Sequence, residues 1–225
     1  MFRSLFPALL TLACVALGTS SVPAEDPAKP AWRPLFDGKT LKNWKLTNFG
    51  GEGEVTVENE QILLQQGSEL TGITWNGGDL PKSNYEISLE AQRVDGGDFF
   101  CGLTFPVKDA PCSLIVGGWG GGVVGLSSLN GLDASENETT TYRAFKKGHW
   151  YKIRLRVSET HIQAWIDDDR VVNADIRERK ISIRPEVELC RPLGLASFAT
   201  VAAVRKLAIR DLTAAERAED PTSDK

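Results

Sequence analysis

Tyr85-Glu86-Ile87-Ser88-Leu89-Glu90-Ala91-Gln92 alternates apolar and polar side chains without a break. A period of two places the apolar residues on one face and the polar ones on the other, so this stretch is a strand with one side on a core. Tyr151-Lys152-Ile153-Arg154-Leu155-Arg156-Val157 repeats the pattern. So do Ile162, Ala164 and Ile166 set against His161, Gln163, Trp165 and Asp167, and the shorter run Pro185-Glu186-Val187-Glu188-Leu189. Further strands are expected at 55–58, 61–65, 99–105, 112–116, 123–127, 139–145, 193–198 and 204–210. Tight turns are expected at Glu58-Asn59-Glu60, Ser158-Glu159-Thr160 and Asp167-Asp168-Asp169. No convincing helical stripe, internal repeat or heptad interrupts the series. Many short strands at close spacing predict an all-β, two-sheet jelly-roll sandwich whose curved sheet offers a concave face.

The first 24 residues read differently. Arg3 precedes an uncharged apolar run from Leu5 to Leu17, and small, turn-prone residues lead to Val22-Pro23-Ala24. This is the layout of a secretory signal peptide, cleaved after Ala24; the alternative is an uncleaved anchor. The expected location is secreted or periplasmic, with no membrane span after processing. A Pro-rich linker at 25–31, the sandwich at 32–212 and a polar, solvated tail at 213–225 complete the expected organisation. A net charge of −4 with 41% apolar residues and no basic cluster excludes a nucleic-acid partner. Three cysteines follow the leader. Cys101 and Cys112 flank a turn containing Pro106 and Pro111, and in an oxidising compartment they are expected to form a disulfide. Cys190, beside Leu189, reads as a core residue.

The stretch from Gly117 to Gly125 contains Gly120-x-Gly122-x-x-Gly125, a formal match to the dinucleotide fingerprint. That fingerprint requires a helix after it, whereas Leu126-Ser127-Ser128-Leu129-Asn130-Gly131 continues as strand and turn, which argues against nucleotide. The segment is a loop between strands, thinned for close approach of a ligand or simply a flexible turn, and Trp119 at its centre is able to stack on a ligand. Each of the six tryptophans reads as core packing or as a sugar platform. Trp75, Trp119 and Trp165 are the better platform candidates, Trp165 because His161, Gln163 and Asp167 share its face. The charged faces carrying Glu86, Glu90, Lys152, Arg154, Arg156, Glu186 and Glu188 form cross-strand ion pairs or place Glu86 or Glu90 in a cleft for glycoside chemistry. Two histidines, His149 and His161, without ligand spacing do not make a zinc site. Asp133-x-x-Glu136-Asn137-Glu138 is an oxygen-rich loop, either solvated or able to hold calcium.

Leu35-Phe36-Asp37-Gly38-Lys39-Thr40-Leu41-x-x-Trp44 resembles the opening of the 3-keto-disaccharide hydrolase domain family. Tyr85-x-Ile87-x-Leu89-Glu90 before Asp95-Gly96-Gly97-Asp98, the segment from His149 to Leu155, and the stretches Leu193-Gly194-Leu195 and 204–209 extend the resemblance over residues 32–212. It implies a concanavalin-A-like sandwich of the lectin/glucanase type, a saccharide ligand or substrate, and cleavage of 3-keto-glycosides. In that chemistry a C3 carbonyl acidifies the C2 proton, a base removes it, the C1 substituent leaves and water adds back. The resemblance implies His161 or a concave-face carboxylate such as Glu90 as base and Arg93 or Arg143 to steady the enolate; Trp75, Trp119, Gln163 and Trp165, read from their own residue types and faces, are the candidates to bind sugar. No cofactor is called for, and a divalent metal stays open. The chain departs from the family pattern at 193–200, at Asp168-Asp169 and at Phe99-Phe100-Cys101-Gly102. A non-catalytic carbohydrate-binding module or a structural surface protein are the other two readings.

Overall fold

The computed structural model describes residues 30–218; the leader and the last residues of the tail lie outside them. Among the described residues the strands run β1 (Arg33–Pro34), β2 (Trp44–Leu46), β3 (Val55–Glu58), β4 (Gln61–Leu64), β5 (Leu70–Trp75), β6 (Tyr85–Gly96), β7 (Cys101–Val107), β8 (Ala110–Gly118), β9 (Val123–Ser127), β10 (Thr141–Tyr142), β11 (Tyr151–Val157), β12 (His161–Ile166), β13 (Asp169–Asp175), β14 (Gly194–Phe198) and β15 (Thr200–Asp211). They form two antiparallel sheets. The eight-stranded sheet has the order β13-β12-β11-β6-β15-β4-β3, with β1 added to β15, and the seven-stranded sheet has the order β10-β9-β8-β7-β14-β5-β2. Hydrogen-bonded neighbours far apart in sequence, such as β6 with β15 and β7 with β14, mark the chain's repeated crossing between sheets. This is the expected sandwich.

The alternating strands bury the faces their sequences prescribe. Tyr85, Ile87, Leu89 and Ala91 of β6 lie beside Ile153, Leu155 and Val157 of β11, all buried in one core with Ile162, Ala164 and Ile166 of β12. Leu103, Phe105, Leu114, Val116, Val124 and Leu126 enter the same core from the other sheet. On the wet face of the eight-stranded sheet the charges pair across strands, Arg156 opposite Glu86 and Lys152 opposite Glu90. The Glu58-Asn59-Glu60 hairpin turns as expected, with φ of 49° at Asn59 and 61° at Glu60, the left-handed geometry of a tight hairpin. No described helix is long and apolar enough to cross a membrane.

Three expectations are corrected. Residues 185–189 are not a strand: Pro185–Cys190 is a 3-10 helix with Pro185 in its first turn, where a missing N–H costs nothing. The alternation was misleading because the segment lies across the outer face of the seven-stranded sheet rather than beside a strand; Thr74 Oγ1 donates to the Leu189 carbonyl at 2.8 Å. The polar tail is not wholly solvated. Thr213 and Glu216 form a capping box, Glu216 N donating to Thr213 Oγ1 at 3.1 Å and Thr213 N to Glu216 Oε2 at 2.9 Å, and this starts helix α1 (Ala214–Ala218).

The Cys101–Cys112 disulfide is the third. Cys101, Cys112 and Cys190 are free and buried. In the β7–β8 pair Cys101 faces Val116 and Phe105 faces Cys112, so the two cysteines sit four residues out of register. At about 3.3 Å per residue that offset is roughly 13 Å, beyond the ~7 Å Cα limit for a bridge. Burial pushes all three thiols up to about 12. The native protein is therefore expected to resist thiol reagents and to become labelled at all three only when unfolded. A Cys101–Cys112 peptide in a non-reducing digest would refute this register.

Candidate functional site

The seven-stranded sheet differs from its partner in what it turns outward. Its outer face carries Gly72 and Thr74 of β5, Gly102 and Thr104 of β7, Ser113 and Ile115 of β8, Gly125 and Ser127 of β9, and Gly194 and Ala196 of β14, in register across the strands. All but Ile115 are small, and Thr74, Thr104, Ser113, Ile115, Ser127 and Ala196 are buried. At one end the 3-10 helix lowers Cys190 onto the sheet, where a Cβ on Gly194 would lie 2.6 Å from the Cys190 Cβ. At the other end the loop after β9 covers Gly125, whose Cβ would lie 2.8 Å from the Ala134 carbonyl oxygen. A groove remains between these two covers.

The groove consists of two adjoining cavities. The larger, of about 350 Å³, has Ser113, Ile115 and Ser127 as its floor, with Phe99, Trp119, Phe198 and Val187 as apolar walls. The smaller, of about 330 Å³, is bounded by Phe49, Gly50, Gly51 and Ser68. Glu69, Leu70 and Glu186 line both. Phe99 and Phe198 stack with ring centroids 5.9 Å apart, giving one wall a continuous aromatic surface. The volumes fall in the range of small-molecule sites, as does an apolar lining with a few polar groups.

The polar groups are held in different ways. Asp98 accepts backbone N–H bonds from Phe99 and Gly120, both 2.8 Å. Arg184 Nη2 donates to Glu186 Oε1 at 2.8 Å, and its Nη1 donates to Asp133. Asp133 Oδ1 in turn accepts from the hydroxyls of Ser127 and Ser128, each at 3.2 Å. The Arg184 hydrogen bond holds the Glu186 carboxyl below the usual carboxylate range. Glu69 is different: its carboxylate has no hydrogen-bond or ion-pair partner among the described residues.

Trp119 is the sequence-derived candidate that lines the groove. It projects from the turn between β8 and β9 with φ of 47° and is 44% exposed. Arg93 fixes that turn from behind. Its Nη2 donates to the carbonyls of Asp98, Gly117 and Gly121 at 3.0, 3.1 and 2.9 Å, while the guanidinium lies 5.3 Å from the Phe100 ring centroid. A Cβ on Gly117 would lie 2.6 Å from Arg93 Nη2, so glycine there admits the arginine. Arg93 is thus a positioning residue, and its Nε and Nη2 donors are engaged by backbone carbonyls. Trp119→Ala is expected to weaken ligand binding in the groove up to about tenfold, within the ~0.5–1.5 kcal/mol worth of an aromatic contact, and to leave the unfolding midpoint unchanged; titration calorimetry and thermal unfolding check both.

The other candidates lie elsewhere. Trp75 is a core residue, edge-on to Trp44 at 5.3 Å, with its Nε1 donating to the Gly78 carbonyl at 2.9 Å. Trp165 is on the outer face of the eight-stranded sheet beneath Arg154, 4.5 Å from its ring. Gln163 and His161 share that strand and face, the His161 ring 2.9 Å from Thr160 Oγ1. Glu90 pairs with Arg205 at 2.7 Å and Lys206 at 2.9 Å; burial pushes its carboxyl up, but these two donors outweigh it and hold the group below its ordinary range. Arg143 bridges Asp169 at 3.0 Å and Asp167 at 3.4 Å, closing the β12–β13 turn. Trp165, Gln163, His161 and Glu90 belong to the opposite sheet, and Arg143, which follows β10 of the seven-stranded sheet, reaches across to it. The oxygen-rich loop is a hydrogen-bonded brace: Asn137 Nδ2 donates to the carbonyls of Leu126, Leu132 and Asp133. Among the described residues no group of three or more His, Cys, Asp or Glu is placed to hold a metal.

Comparison with known proteins gives this geometry a family. The sequence profile of the 3-keto-alpha-glucoside-1,2-lyase-like domain matches residues 31–210. The chain belongs to this family. No curated protein matches its sequence. Several solved structures share its fold. A Parabacteroides distasonis protein provisionally described as a glycosyl hydrolase aligns over 81% of this chain and 94% of its own, at 11% identity and TM-score 0.50. The Emp46p carbohydrate recognition domain aligns over 77% and 90%, at 13% identity and TM-score 0.52. The Crh5 transglycosylase, solved with NAG, aligns over 78% and 81%, at 11% identity and TM-score 0.52. At such identities the likeness is one of fold. The family member described here is accordingly a lectin-like β-sandwich of a carbohydrate-active domain family.

Proposed function

We propose that the groove on the seven-stranded sheet cleaves a 3-keto-glycoside by proton abstraction and elimination, in a protein exported by its N-terminal leader. The observation that carries the reading is Glu69, an unpartnered carboxylate shared by two adjoining cavities, one of them walled by aromatic rings. A sugar in the larger cavity sets its C–H face on Phe99, Phe198 or Trp119, and the substituent on C1 extends past Glu69 into the smaller one. Glu69 removes the C2 proton, the electron pair passes to the C1–C2 bond, and the C1–O bond breaks. The protonated Glu69 then returns its proton to the departing oxygen, and water adds across the double bond.

One observation favours a binding-only domain: Asp98 and Glu186 are both engaged by protein donors, which leaves a single carboxylate for acid–base work. Incubation of the purified protein with a chromogenic 3-keto-glucoside separates the two. Aglycone release is expected; sugar binding without release across pH and added divalent metals would leave the binding module in its place.

A further inference from the structure

We infer that the groove selects its saccharide by charge, accepting neutral and amino sugars and rejecting uronates, with Glu186 as the specificity-determining residue. The inference rests on the saccharide reading of the groove, and deepens it. The charged residues lining the larger cavity are Glu69, Asp98, Glu186 and Arg184. Arg184 is the sole cation of that lining and is not available as a carboxylate receptor. Glu186 and Asp133 already bind its guanidinium, and the Glu186 hydrogen bond leads the interactions that raise it above its usual range. Asp133 cannot swing away freely, because two serine hydroxyls hold its other oxygen.

A uronate entering the groove therefore meets carboxylates without a free cation to answer it. Glu69 lines both cavities, so either end of the groove exposes the incoming charge to it. Like charges brought together in the groove repel, and discrimination by such repulsion is a general route to specificity. A sugar ammonium group experiences the opposite sign. Glu186 controls the outcome because it is the partner that quenches Arg184 from inside the groove; Asp133 does so from behind.

The test is titration calorimetry on the whole protein at neutral pH with methyl glucoside, methyl glucosaminide and methyl glucuronide, each as the parent and the 3-keto sugar. The glucoside and glucosaminide are expected to bind at least tenfold tighter than the glucuronide, and the gap should shrink at high salt. Glu186→Gln removes the anion that neutralises Arg184 from inside the groove and should close most of that gap by strengthening glucuronide binding; Glu69→Gln should narrow it to a lesser degree. Thermal unfolding of each variant reports that it is folded. Glucuronide bound as tightly as glucoside by the native protein overturns the inference, and an unchanged ratio in Glu186→Gln removes Glu186 from it. Binding of none of the three overturns it together with the saccharide reading. Binding without aglycone release leaves the charge selectivity standing and sinks only the catalytic reading.

Discussion

Glu86→Ala is expected to destabilise the fold by about 3–5 kcal/mol, the usual cost of removing one member of a buried charge cluster. Glu86 is 1% exposed. Its carboxylate meets Arg210 at 2.6 Å, Arg154 at 3.2 Å and Arg156 at 3.4 Å. Each of these arginines lies against an aromatic ring, Arg154 and Arg156 over Trp165 and Arg210 over Trp32, and none is free to swing into solvent without losing that contact. Deleting the carboxylate leaves three guanidinium groups facing one another, with Glu216 an anion nearby among the described residues. Glu86→Gln, which retains hydrogen-bond acceptance without charge, should fall between alanine and the native protein. Urea unfolding at neutral pH measures both; a loss under about 1 kcal/mol for alanine, the range of an ordinary surface substitution, would show that the cluster is not a stabilising unit.

The same cluster gives stability a pH dependence with a definite sign. The Arg210 hydrogen bond, opposed in part by burial, lowers the Glu216 carboxyl to about 2. A group whose folded value lies below its unfolded value contributes its stabilisation above the unfolded value, near 4.5, and loses it as pH falls toward 2. The unfolding midpoint should therefore decline through that window, and Glu216→Gln should flatten part of the decline.

What the sequence showed about this molecule divides along its two sheets. The eight-stranded sheet was legible residue by residue, because strands β6, β11 and β12 alternate strictly and water on one side leaves a period of two. The seven-stranded sheet was legible only as strands. Leu114-Ile115-Val116 and Val123-Val124 are apolar on both faces, the pattern of a sheet covered on its outer side. That was the available signal for the site, and a search for charged faces overlooks it. Polar residues in a regular alternation, such as Glu90, are more readily balanced by the strand next door, as Arg205 balances Glu90. Above the Ser113, Ile115 and Ser127 floor, the charged and aromatic residues of the groove come instead from strand ends and connections: Glu69 before β5, Asp98 and Phe99 between β6 and β7, Trp119 in the β8–β9 turn, and Glu186 in a 3-10 helix. Their convergence depends on long-range strand order, β7 beside β14 and β14 beside β5, and no local pattern encodes it. Trp119 was the exception because a tryptophan among glycines is conspicuous without any knowledge of topology.

Glu69→Gln is expected to lower aglycone release from a 3-keto-glucoside by about 10²- to 10⁴-fold, the range over which a positioned general base acts. The loss should fall on kcat with KM little changed, because the amide retains the size and polarity of the carboxylate and removes only the group that takes the proton. Glu188→Gln is the matched control. Glu188 belongs to the same 3-10 helix as Glu186, pairs with Arg191 and lines neither cavity, so its release rate should equal that of the native protein. Asp98→Asn tests a different part of the site. It disturbs the bond to Gly120 N–H that anchors the Trp119 turn, so it should raise KM, by loosening the aromatic wall, more than it lowers kcat. If Glu69→Gln instead retained the native kcat while Asp98→Asn or Glu186→Gln abolished it, the base would have to be one of the two carboxylates that the structure shows already bound to protein donors. The proton-transfer geometry would then require Asp98 to leave its backbone N–H groups, or Glu186 to leave Arg184, when substrate enters.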